Sequence, residues 1–125
     1  MDAYRLIGHF SRFEGTDHES SRDDKIFAIS FDEDTLYQIK NQIDGQNEGW
    51  GYTKNRSPYC AAATEYWDTM GYEKRKTASD KFKMTLRDGK IVEVPLYPVD
   101  SYYGEGSLDG LYVEKFDYLH PDDFV

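Results

Sequence analysis

The chain has 125 residues, of which 15 are basic and 24 acidic, giving a formal net charge of −9. A single domain over 1–125 buries about two-thirds of its unfolded surface, so no metal or disulfide is needed to hold it, and one cysteine forms no internal bridge. No apolar run approaches the roughly 20 residues that span a bilayer, the acid at position 2 argues against a secretory leader, and the charge argues against a basic footprint for duplex DNA; the expectation is a cytoplasmic protein with no membrane contact.

Residues 3–13, AYRLIGHFSRF, alternate with the period of a strand: Tyr4, Leu6, Gly8 and Phe10 share one face, and Arg5, Ile7, His9, Ser11 and Phe13 the other. Gly8 weakens a strand or marks a bulge. A polar loop over 14–24 leads to a second strand at 25–31, with Phe27, Ile29 and Phe31 on one face. The two strands form a hairpin with a long loop.

A helix is predicted over 34–44. Asp32 or Asp34 caps it by accepting from unpaired backbone N–H groups, Leu36, Ile39 and Ile43 form a buried stripe, and Gly45 suits the left-handed stop. A second helix starts at Ser57, a good cap, followed by Pro58 at the first helical position. Its stripe is Tyr59, Ala62, Ala63, Tyr66 and Met70, and Gly71 is placed to end it.

KFKMTLRDGKIVEVPLY is a hairpin around Asp88-Gly89. A two-residue turn would oppose Met84 to Glu93. A type I turn with a glycine bulge pairs Met84 with Val92 and Phe82 with Val94, making one face wholly apolar, so burial selects the bulged register. A glycine-rich loop over 98–110 holds Tyr102 and Tyr103, and a last strand runs over about 111–118 before an extended acidic tail. The order β-β-α-α-β-β-β defines an α+β fold: a mainly antiparallel sheet with two helices packed on one face.

Charge is unevenly placed. Residues 54–90 carry nine basic and five acidic side chains, or +4, against six and nineteen elsewhere, or −13. Either the middle pairs internally with the ends, or it meets opposite charge on another molecule. A homodimer or larger closed oligomer would allow the second, and eleven tyrosines suit such an interface.

Residues 47–60, NEGWGYTKNRSPYC, raise a specific ligand question. The loop joins two helices and is long for that task. Trp50 and Tyr52 can stack on a base, Lys54 and Arg56 can meet phosphates, and the helix starting at Ser57 adds backbone donors. Lys74, Arg75 and Lys76 can join this nucleotide-sized site. The competing reading makes Trp50 a plug in the core and its flanking glycines a turn.

Catalytic signals are weak. Cys60 lies in the first turn of a helix, where a thiolate is favoured, but a cysteine hydrolase also needs a histidine. His9, His18 and His120 are the three available, and nothing in the sequence brings His18 or His120 close. The stretches HPDD and DHE fit neither a zinc nor a calcium pattern, so no metal and no cofactor is implied. Gly49-Trp50-Gly51 and the Gly104–Gly110 region miss the phosphate-loop and dinucleotide patterns.

The functional expectation is a small acidic, non-enzymatic binding protein that inhibits or neutralises a basic partner, of the kind found in bacterial immunity or phage counter-defence. Asp17, Glu19, Asp23, Asp24, Asp32, Glu33 and Asp34 are its candidate partner-binding acids. The alternative is binding or sequestration of a small anionic ligand, a nucleotide, through the 50–57 loop and the basic residues of 54–90.

Overall fold

Strands β1 (Asp2–Phe13) and β2 (Ser20–Ser30) come first, then helices α1 (Glu33–Asp44) and α2 (Pro58–Asp68). Strands β3 (Asp80–Thr85), β4 (Ile91–Leu96) and β5 (Leu108–Asp117) complete the order β-β-α-α-β-β-β. The computed structural model describes residues 2–13, 20–44, 57–70, 74, 77–99 and 108–117. The fold is α+β, and its strands divide between two antiparallel sheets, β2-β1-β5 and β3-β4. β2 begins at Ser20, so part of the expected 14–24 loop, including Asp23 and Asp24, is strand.

Leu6, Gly8 and Phe10 of β1 are buried together, as their alternation predicts. Gly8 does not itself bulge; β2 does. Leu6 pairs with Ala28 and Ile7 with Ile26, leaving Phe27 as the extra residue. The bulge reverses the facing of every later residue in β2. Phe27 and Ala28 are therefore both buried, Ser30 follows Ala28 inward, Ile29 is half-buried on the opposite face, and Phe31 is 46% exposed. The expected stripe Phe27, Ile29, Phe31 holds only at Phe27, because one inserted residue turns a period-2 pattern over.

α1 is capped by Asp32, whose carboxylate accepts from the backbone N–H of Asp34 and the hydroxyl of Thr35, each at 3.1 Å. Leu36, Ile39 and Ile43 are fully buried, each contributing about 1.5–3 kcal/mol relative to exposure. A second ridge, Asp34, Gln38 and Gln42, holds the β3–β4 hairpin. Gln38 Oε1 accepts from Arg87 N at 2.9 Å, Gln42 Nε2 donates to Thr85 O at 2.8 Å, and Arg87 donates to both Asp34 oxygens at 3.0 and 3.1 Å.

α2 buries Tyr59, Ala63, Thr64 and Trp67, while Ala62, Tyr66 and Met70 are half-buried. The buried stripe thus follows i, i+4, i+8 rather than the expected set, and Met70 lies beyond the end of the helix at Asp68. Gly45 and Gly71, the expected stops, lie outside the described residues.

The hairpin has the bulged turn. Gly89 adopts φ +87°, Gly89 N donates to Leu86 O at 2.9 Å, and Leu86 N donates to Lys90 O at 2.8 Å. Phe82 pairs with Val94 and Met84 with Val92. That face turns inward, with Met84, Val92, Val94 and Leu96 buried. Tyr59 joins it to the rest of the core: its hydroxyl donates to Pro95 O at 2.7 Å and accepts from Tyr97 N at 3.1 Å. Burial raises the Tyr59 phenol far above its ordinary range, and raises Tyr97 as well.

Candidate interaction surface

α1 crosses β1, β2 and β5 on the side where Leu6 and Phe10 are buried. The opposite side of this sheet carries Arg5, Ile7 and His9 of β1. Register places their neighbours in rows. Arg5 lies between Ile29 and Glu114, Ile7 between Ile26 and Tyr112, and His9 between Asp24 and Gly110. The middle row is apolar and open: Ile26 is 42% exposed and Tyr112 is 54% exposed.

Each flanking row holds a hydrogen-bonded polar pair. Arg5 Nη2 donates to Glu114 Oε1 at 2.6 Å, and the guanidinium carbon sits 5.2 Å from the Phe116 ring centre. His9 Nδ1 is hydrogen-bonded to Asp24 Oδ1. The His9 ring also tilts against Tyr112, with centroids 4.5 Å apart. Gly110 leaves room for that tyrosine: a Cβ there would lie 3.3 Å from the Tyr112 hydroxyl. The outer sheet surface is thus an exposed aliphatic and aromatic strip between the Arg5–Glu114 ion pair and the His9–Asp24 hydrogen bond.

A second exposed region surrounds the start of α1. Phe31, Asp32, Glu33, Asp34 and Tyr37 are all exposed. Two of its acids have local work, Asp32 as the helix cap and Asp34 with Arg87 and Gln38. The Glu33 side chain has no hydrogen bond or ion pair among the described residues. Of the other expected partner-binding acids, Asp24 is bonded to His9, Asp23 lies on β2 opposite Phe10, and Asp17 and Glu19 lie outside the described residues.

The expected nucleotide site is mostly outside the described residues, which omit Trp50, Tyr52, Lys54, Arg56, Arg75 and Lys76. Lys74 is exposed. Ser57 is buried, and its hydroxyl is already used twice. It donates to Ile43 O at 2.6 Å and accepts from Cys60 N at 3.1 Å, which joins the end of α1 to the start of α2. Cys60 Sγ donates to the same Ile43 carbonyl at 3.3 Å. His18 and His120 lie outside the described residues, and His9 is on the outer sheet face.

Sequence reasoning placed Arg5, Ile7 and His9 on one face but did not single it out. Its neighbours Ile26 and Tyr112 depend on strand pairing, and no local motif marks them. Among the described residues no three of His, Cys, Asp and Glu form a metal-ligand group, and no helix is long and apolar enough to cross a membrane. Fold and surface together define an α+β protein in which the outer face of the β2-β1-β5 sheet carries exposed apolar side chains. No protein-family model matches the chain, and no curated protein or solved structure matches it.

Proposed function

We propose that the protein is a small non-enzymatic binding protein that inhibits or neutralises a basic protein partner. The observation that carries this reading is the surface at the start of α1, where Asp32, Glu33 and Asp34 are exposed beside exposed Phe31 and Tyr37. Carboxylates attract a cationic partner at long range, more so on a chain of net charge −9. Adjacent aromatic rings supply the desolvated contact area that holds a complex once formed.

The test is affinity capture from lysate of the source cell with the whole chain, followed by titration against the captured protein. The expected result is a stoichiometric complex that weakens with salt, loses affinity on Glu33→Lys or Tyr37→Ala, and lowers the partner's activity. A captured protein that binds both folded variants as tightly as the parent, or keeps full activity when bound, would overturn it.

A further inference from the structure

We propose, resting on the start of α1 being the surface that meets a basic partner, that Arg87 is autoinhibitory there. Its guanidinium occupies Asp34 as the partner's own cation would, and it leaves before the partner engages Glu33 and Asp34 together. Arg87 comes from the turn between β3 and β4, so the chain itself brings a cation onto this acidic surface.

The contact has the form of one that opens easily. Arg87 Nη2 donates to Asp34 Oδ1 at 3.0 Å and to Oδ2 at 3.1 Å, so one nitrogen serves both oxygens. The stronger arrangement, in which two guanidinium nitrogens each take one oxygen, is not made. Both side chains are largely exposed, and an exposed pair favours the closed form by at most about fivefold.

Opening the contact disturbs little else. The hairpin stays docked on α1 through Arg87 N donating to Gln38 Oε1 at 2.9 Å and Gln42 Nε2 donating to Thr85 O at 2.8 Å. Gln38 Nε2 donates to Asp34 Oδ2 at 2.9 Å, so the carboxylate keeps its orientation when the guanidinium departs. Glu33 beside it has no hydrogen bond or ion pair among the described residues and needs no uncovering. A partner that presents arginine gains the two-pronged contact that Arg87 does not make. Its apparent affinity is reduced by the fraction of chains in which Arg87 is closed.

Calorimetric titration of the full chain with a nona-arginine peptide at low salt tests the competition. Arg87→Ala is expected to tighten binding by up to about fivefold. Removing any cation makes the chain more acidic, so Lys90→Ala, an equal change of charge at an exposed position of the same turn, is the control and is expected to gain less. In an Asp34→Asn background the gain from Arg87→Ala is expected to shrink to that of Lys90→Ala, since no acid is left to uncover. Circular dichroism checks the fold of each variant; should Arg87→Ala not fold, Arg87→Gln serves. Equal gains from Arg87→Ala and Lys90→Ala, or a larger gain that survives Asp34→Asn, would overturn the autoinhibitory role and leave the surface standing. A folded Glu33→Lys that binds the peptide as tightly as the parent, or a peptide bound by neither the parent nor Arg87→Ala, would overturn the surface itself and the role of Arg87 with it.

Discussion

Replacing Gly8 with alanine inserts one methyl group between β1 and the bulge in β2. An added Cβ would lie 2.4 Å from Phe27 Cε1, 3.1 Å from Leu108 Cδ1 and 3.2 Å from Phe27 Cζ. The first distance is far inside carbon contact, so the Phe27 ring must move. Its surroundings resist that movement. Phe27 stacks parallel to Phe10 at 6.0 Å, meets Tyr97 edge-on at 5.1 Å and tilts against Tyr59 at 5.8 Å, and it is itself 2% exposed. Forcing an extra carbon into such a site costs about 1–3 kcal/mol. Against this, alanine restricts the unfolded chain and returns about 0.4–1 kcal/mol where the backbone accepts it. The clash is the larger effect, so Gly8→Ala is expected to destabilise. A loss of 1 kcal/mol lowers the melting temperature by about 4 °C at this length. Urea titration followed by circular dichroism measures it. Phe27→Leu shortens the obstructing ring, so the double variant with Gly8→Ala is expected to lose less than the two singles added, by about 0.5–3 kcal/mol. A Gly8→Ala chain as stable as the parent, or strict additivity with Phe27→Leu, would refute the reasoning.

Gly89→Ala is expected to cost about 1–2 kcal/mol for a different reason, since φ is +87° but nothing lies within 4 Å of the added carbon. Gly89→Asn should lose less, and equal losses in the two would contradict a purely conformational origin. Tyr59→Phe leaves Pro95 O and Tyr97 N without their shared hydroxyl and is expected to cost about 1–3 kcal/mol by urea titration. Because burial raises the folded phenols of Tyr59 and Tyr97, their stabilising contribution is intact below the unfolded tyrosine value of about 10. It is lost as pH climbs beyond that value, so stability is expected to fall on the alkaline side, less steeply in Tyr59→Phe; equal slopes would count against it. The Arg87–Asp34 pair is largely exposed, at 73% and 62% of its side chains, and a double-mutant cycle is expected to return only about 0–1 kcal/mol, shrinking with salt. If the chain binds a nucleotide, Arg56→Ala and Trp50→Ala should weaken it in calorimetry, Trp50→Ala by about 1–3 kcal/mol, and unchanged binding in both would dismiss that site.

The sequence by itself determined what short-range chemistry controls. The spacing of Leu36, Ile39 and Ile43 and the carboxylate at Asp32 specify α1 within one residue of its start. Ser57-Pro58 specifies where α2 begins. The apolar faces on either side of Asp88-Gly89 select the hairpin register, because both strands and their turn lie within a few residues of one another. What needed the tertiary structure is long-range. Nothing local at 25–31 marks Phe27 as an extra residue; the bulge arises where β2 pairs with β1 across a long connection, and it sends Ile29 to the unexpected face, while Phe31 falls just beyond the end of the strand. The seating of β5 beside β1, nearly a hundred residues away in sequence, assembles the Ile26–Ile7–Tyr112 strip and its flanking pairs. Side-chain roles followed the same division. Ser57 was recognisable as a helix cap, but the donation of its hydroxyl to Ile43 O requires α1 to end beside it, and the pairing of Asp34 with Arg87 requires the hairpin to dock on α1. Hydrogen-bonding capacity is written in each residue; which partner takes it up is decided by the packing that brings distant segments together.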